Sequence, residues 1–135
     1  MRVFIGNGIA VPRILIIDDE ADMRTMLEQM LKPTGCEVIQ APDGEEGVRQ
    51  HRTAPADLII IDLYMPKKEG LETIIELRKD FPEVAIVAMS GKTTANAMLA
   101  VAQRLGAIGI LEKPFQQDQL FQAVEKALGS KSGHV

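Results

Sequence analysis

Three apolar runs, each closed by charged residues, constrain the fold before anything else in the chain is read. They are Ile14-Leu15-Ile16-Ile17 ahead of Asp18-Asp19, Leu58-Ile59-Ile60-Ile61 ahead of Asp62, and Ile108-Gly109-Ile110-Leu111 ahead of Glu112-Lys113-Pro114. Continuous apolar runs rich in β-branched residues and bounded by polar ones are strands covered on both faces, the condition of a parallel sheet. An open parallel sheet binds its ligands just beyond the carboxyl ends of its strands. Asp18, Asp19, Asp62 and Lys113 therefore fall where such a fold places its chemistry.

Helical stripes alternate with the strands. Met23, Met26, Leu27, Met30 and Leu31 stand at i, i+3, i+4, i+7 and i+8, one apolar face whose methionines read as core filler. Pro33 and Gly35 end that helix and Cys36-Glu37-Val38-Ile39 starts a second strand. A weak helix over Gly44–Arg52 is diluted by Gly44 and Gly47, each costing up to about 1 kcal/mol against Ala. Leu58–Ile61 is followed by a stripe of Leu71, Ile74, Ile75 and Arg78. Val84–Met89 is a fourth strand, closed by Ser90-Gly91. Met98, Val101, Ala102 and Leu105 make the next helix, with Gly106 as its cap. After Ile108–Leu111 the last helix carries Leu120, Phe121, Val124, Ala127 and Leu128.

This succession predicts an α/β fold: a (βα)5, doubly wound, five-stranded parallel sheet of flavodoxin-like order 2-1-3-4-5 with right-handed crossovers. The order makes strands one and three neighbours about 4.8 Å apart, so Asp18, Asp19 and Asp62 converge. Strands four and five lie beyond strand three and bring Ser90 and Lys113 toward the same edge.

The 135 residues suffice for one domain. A net charge of −4 with scattered Lys and Arg argues against direct nucleic-acid binding. Cys36 is the only cysteine, which excludes an intramolecular disulfide and suits the cytoplasm. No apolar run approaches the ~20 residues a bilayer requires, so no membrane partner is expected. Residues 1–11, broken by Gly6-Asn7-Gly8, read as a mobile leader, 12–129 as the domain and 130–135 as a flexible tail. His51 and His134 have no ligand partners at sensible spacing and read as solvated surface, as do Lys67-Lys68.

Converging carboxylates repel one another unless one is protonated or a cation neutralises them. An all-oxygen site of this kind suits Mg²⁺, with Mn²⁺ as the alternative. Asp62, alone at its strand end, can attack a phosphoryl donor to give an acyl phosphate. The cation and Lys113 would neutralise the phosphoryl oxygens and Ser90 would donate to one of them. Taken singly, each feature has a plainer reading: Asp18-Asp19 as a helix cap, Asp62 as a loop acid, Lys113-Pro114-Phe115 as a turn. Their joint occurrence does not.

Asp18-Asp19, Asp62-Leu63-Tyr64-Met65-Pro66 with Gly70, Ser90-Gly91 and Lys113-Pro114-Phe115 together resemble the receiver domain of two-component response regulators, in order and spacing over roughly residues 12–129. The resemblance implies a stand-alone phosphoacceptor rather than an enzyme, one that assists its own phosphorylation and dephosphorylation. Asp62 would take a phosphoryl group from a sensor histidine kinase or a histidine phosphotransfer protein, and pass the signal to a downstream protein. Asp19, Asp62 and the backbone carbonyl of Tyr64 would ligate Mg²⁺, with Asp18 acting through water. Ser90 would swing toward the phosphoryl group, Lys113 would pair with it, and the Lys113–Pro114 bond would be cis. Tyr64 and Lys92 would flank the attacking-water path and tune phosphoryl lifetime. Ile110 departs from the family, which usually has Tyr or Phe there as a rotamer switch. A binding-only pseudo-receiver would have lost an acid or the lysine, and none is lost. An Asp-nucleophile phosphatase wants a second acid where Tyr64 stands. A flavin protein wants backbone donors and hydroxyls in the first loop, which here is acidic.

Overall fold

Side-chain alternation along the strands divides the buried residues into two layers, one on each face of a sheet. The computed structural model describes residues 11–65, 70–91, 94 and 96–132. Its elements are β1 (Arg13–Ile17), α1 (Ala21–Leu31), β2 (Glu37–Ala41), α2 (Gly44–Thr53), β3 (Leu58–Asp62), α3 (Gly70–Asp80), β4 (Ala85–Ser90), α4 (Asn96–Arg104), β5 (Gly109–Glu112) and α5 (Gln117–Ser132). All strand pairs are parallel, in the order β2-β1-β3-β4-β5. The expected doubly wound sheet is what forms.

Ile14, Ile16, Leu58, Ile60 and Val87 point to one face and meet Leu27 and Leu31 of α1 and Leu120 and Val124 of α5. Leu15, Ile17, Ile59, Ile61 and Ile86 point to the other and meet Val48 of α2, Ile74 and Leu77 of α3 and Ala102 of α4. The strand period of two sends successive residues to opposite faces, and helices on both sides bury each set. Each such side chain contributes about 1.5–3 kcal/mol of burial. That is why the central strands are unbroken apolar runs, whereas the edge strands β2 and β5 stay partly exposed.

Register carries the acids together. β1 and β3 pair from Ile14↔Leu58 to Ile17↔Ile61, so Asp18 comes level with Asp62. Asp62 pairs with Met89, and Ser90 with Glu112. Lys113 follows directly.

Several local expectations shift. β2 begins after Cys36 and ends at Ala41, and α5 runs to Ser132. Residues 1–10, the Lys67-Lys68 pair and His134 lie outside the described residues. Gly106 does cap α4, at φ 90°, with its N–H bonded to the Gln103 carbonyl and that of Ala107 to Ala102. The apolar stripes are wider than the surface they bury: Met26, Ile75 and Val101 are exposed at 41%, 52% and 37%.

His51 is the clearest correction. It is buried, not solvated: its Nδ1 accepts from the Ala56 N–H at 2.9 Å and its ring meets Phe81 edge-on at 4.6 Å. Arg52 stacks on that same Phe81 and pairs with Asp80 at 3.0 Å, which draws α2 onto α3 over the imidazole. Gly47, which looked like a weakness of α2, is a close approach: a Cβ there would stand 2.4 Å from Ile17 Cδ1. Among the described residues no helix is long and apolar enough to cross a membrane.

Candidate functional site

β1 and β3 end side by side, β5 ends one strand further across β4, and the charges at or just past these three ends meet in one pocket. Carboxylate oxygens of Asp18, Asp19 and Asp62 all lie within 4.8 Å of one another. Asp18 is fully buried, Asp62 nearly so, and Asp19 is exposed at the mouth. Lys113 bridges the two buried acids, its Nζ donating to Asp18 Oδ2 at 3.3 Å and to Asp62 Oδ2 at 3.1 Å. Their other oxygens accept from backbone: Asp18 Oδ1 from the Glu20 N–H at 2.9 Å, Asp62 Oδ1 from the Tyr64 N–H at 3.1 Å. The helix-cap reading of Asp18-Asp19 therefore fails, since Glu20 is the N-cap residue of α1 and makes no side-chain cap.

Backbone contacts lock these positions. The Asp18 N–H donates to the Ala41 carbonyl, Leu63 to Met89, and Lys113 to Ser90 at 2.8 Å. The Lys113–Pro114 peptide is cis, as expected. Gly70 opens α3 hard against the acceptor strand, where an added Cβ would lie 2.2 Å from the Asp62 carbonyl oxygen and 2.5 Å from Leu63 Cα. Only glycine lets α3 start so close behind Asp62.

The electrostatics follow from burial. Asp18 is pushed up from 3.8 to about 6, chiefly by desolvation and further by Asp62, against the Glu20 N–H and Lys113. Burial opposes the charge on Lys113, but Asp18 and Asp62 outweigh it and raise its pKa above the ordinary lysine value. With all groups ionised, three carboxylates face one ammonium. That leaves two negative charges for hard oxygen donors to share, and Asp19 has no hydrogen bond or ion pair to any described residue. A divalent oxygen-seeking cation such as Mg²⁺ fits both the charge and the donor set.

The pocket has a volume of about 310 Å³ and is lined by Asp19, Glu20, Asp62, Tyr64, Gly91, Thr94 and Lys113. Ser90 lies one residue beyond Met89, the register partner of Asp62. It is buried at the end of β4, and its hydroxyl bonds to no described residue. Gly91 and Thr94 form the wall on that side, tied by Gly91 N–H to Thr94 Oγ1 at 2.9 Å and Thr94 N–H to the Gly91 carbonyl at 3.0 Å. Tyr64 is 59% exposed at the rim. Ile110 is not in the pocket; it pairs with Ala88 and packs toward α4. Lys92 lies outside the described residues. Glu20 and the wall-forming role of Thr94 are additions that the structure makes to the expected site. Adjacency to the acid pair could have flagged Glu20, whereas Thr94 carries no local signal.

Comparison with known proteins bears on this geometry. Residues 14–125 match the response regulator receiver domain family. The chemotaxis protein CheY of Listeria monocytogenes is 32% identical over 116 residues, covering 85% of this chain and 97% of that protein. CheY of Thermotoga maritima is 34% identical over 115 residues, covering 84% and 95%. A response regulator receiver domain protein from Clostridium thermocellum superposes with a TM-score of 0.82 at 31% identity, covering 90% of this chain and 98% of that one.

Proposed function

This chain belongs to the response regulator receiver family, and from that premise we propose that it is a phosphoacceptor of two-component signalling whose acceptor is Asp62. The observation that carries the proposal is Lys113 bridging Asp18 and Asp62 beside Asp19, which has no partner among the described residues, at the carboxyl edge of the sheet. The donor is the phosphohistidine of a sensor kinase or of a histidine phosphotransfer protein. An Asp62 carboxylate oxygen attacks phosphorus, the P–N bond breaks as the O–P bond forms, and the imidazole departs with the electron pair. Lys113, already 3.1 Å from the acceptor, neutralises charge arriving on the phosphoryl oxygens.

Asp19, Asp62 and the Tyr64 carbonyl would hold Mg²⁺ or Mn²⁺, with Asp18 acting through water, and the bound ion would supply Lewis-acid neutralisation of the phosphoryl group. Ser90, whose hydroxyl has no described partner, is free to turn toward that group. Ile110 is stiff at χ1 and short, so it cannot sweep the volume an aromatic side chain would. The response therefore runs through Ser90, Gly91, Thr94 and the start of α4. Tyr64 and Lys92 govern water access and phosphoryl lifetime. The setting is cytoplasmic and the output is docking to a further protein. A binding-only role is disfavoured because every charged group of the site is present and mutually arranged.

Radiolabelled acetyl phosphate tests the reading. Wild-type protein should label with Mg²⁺ present and not in EDTA, and Asp62→Asn should not label at all. Undiminished labelling in EDTA, or in Asp62→Asn, refutes it.

A further inference from the structure

Resting on the reading of Asp19 and Asp62 as cation ligands, we propose that Arg24 is a positioning residue that sets the cation affinity of the pocket. It does so by holding the Asp18–Asp19 peptide from behind. Arg24 lies in the first turns of α1, its own N–H bonded to the Glu20 carbonyl at 3.1 Å. Its guanidinium turns back toward the end of β1, where Nη1 donates to the Asp18 carbonyl oxygen at 2.7 Å. The Nε donates to Gln40 Oε1 on β2 at 3.1 Å. Gln40 is itself fixed, its amide donating to Glu28 Oε1 at 2.5 Å and its carbonyl accepting from Gln50 Nε2 at 3.1 Å.

Arg24 and Glu28, one turn apart on α1, thus close on Gln40 from two sides. The guanidinium cannot swing without breaking two bonds at once, and the bond to the Asp18 carbonyl is charge-assisted and short. Asp18 is also held at its N–H by Ala41 and at its carboxylate by Lys113 and the Glu20 N–H. Asp19 is different. Its carboxylate has no tether among the described residues, so within them it is its own backbone that positions it. The peptide that orients it is the one whose carbonyl Arg24 holds. If that peptide rotates, the Asp19 carboxylate moves relative to Asp62 and the donor set opens.

Removing an outer-shell contact of this kind typically weakens metal affinity by about 10–100-fold. Lysine could reach one acceptor but not span both, because it lacks the planar fork. The sign of the effect separates positioning from mere charge. Deleting a cation near an acidic pocket strengthens Mg²⁺ binding if Arg24 acts only through its field. It weakens binding if Arg24 acts by holding the peptide.

The test is Mg²⁺ titration of the full chain, followed by the fluorescence of Tyr64, the only tyrosine and a lining residue of the pocket. Urea denaturation in EDTA runs alongside. Arg24→Ala should raise the Mg²⁺ Kd about tenfold or more, with Arg24→Lys intermediate. Gln40→Leu, which leaves Arg24 in place but unbraced, should raise it by about threefold, in proportion to the smaller loss. A Kd for Arg24→Ala that is unchanged or lower than wild type overturns the proposal, whatever happens to its stability in EDTA. If Arg24→Ala does not fold, wild-type affinity in both Arg24→Lys and Gln40→Leu overturns it. A wild-type protein with no saturable Mg²⁺ response defeats the cation reading itself, before Arg24 enters.

Discussion

Replacing Asp18 with asparagine should stabilise the cation-free protein at pH 7.5, even though it removes one partner of Lys113. The Asp18 side chain is fully buried, and burial, only partly offset by the Glu20 N–H and Lys113, lifts its carboxyl from 3.8 to about 6. Between those values the folded chain keeps a proton that the unfolded chain has released. The folded state then binds more protons, so stability falls as pH rises through this window and stays low above it. A displacement of roughly two units corresponds to about 3 kcal/mol lost by pH 7.5. Asparagine has nearly the same shape and can keep the Oδ1 acceptor for the Glu20 N–H, whose bond is 2.9 Å. It carries no charge to desolvate, and Lys113 retains Asp62 at 3.1 Å. The variant should therefore gain up to about 3 kcal/mol at pH 7.5, on the order of 8–10 °C in Tm for a chain of this size. The gain should shrink toward nothing near pH 4. Urea denaturation of both proteins in EDTA at pH 4, 5, 6 and 7.5 measures this directly, and saturating Mg²⁺ should narrow the difference by neutralising the wild-type charge. A stability difference that does not change with pH, or a variant less stable than wild type at pH 7.5 in EDTA, refutes the reasoning.

Three other substitutions probe the frame around the site and the rest of the fold. Gly70→Ala drives a Cβ into the Asp62 carbonyl and Leu63 Cα, backbone atoms that cannot turn aside. It should cost about 1–3 kcal/mol or more and weaken Mg²⁺ binding. Gly129→Ala on α5, where an added Cβ meets nothing within 4 Å, should instead stabilise by up to about 1 kcal/mol, and equal effects of the two in urea melts would refute the contact. His51→Leu strands the Ala56 N–H that donates to Nδ1; a loss of about 1–3 kcal/mol is expected, and a neutral result would show the imidazole bond contributes little.

Much of this protein could be read from the chain alone, because the relevant signals are local. Period-two and period-3.6 patterns are set by near neighbours, so five strands, five helices and their alternation were legible, and with them the parallel sheet. Charges closing apolar runs likewise marked Asp18, Asp19, Asp62 and Lys113, since a strand end is visible in one dimension. The tertiary structure decided what depends on which surfaces meet. The same apolar stripe leaves Met26 exposed and Leu27 buried because α1 lies on the sheet along one line only. His51 is sealed because Phe81, just past the end of α3, packs edge-on against it and is held there by Arg52 of α2, and no spacing in α2 announces that. Gly47 and Gly70 are required by Ile17 and by the Asp62 carbonyl, partners distant or hidden in sequence. Nothing local in α1 marks Arg24; its role depends on β2 supplying Gln40 and on the end of β1 presenting the Asp18 carbonyl to it. A residue's type limits what it can bond, but only the packing of elements decides which of those bonds are within reach.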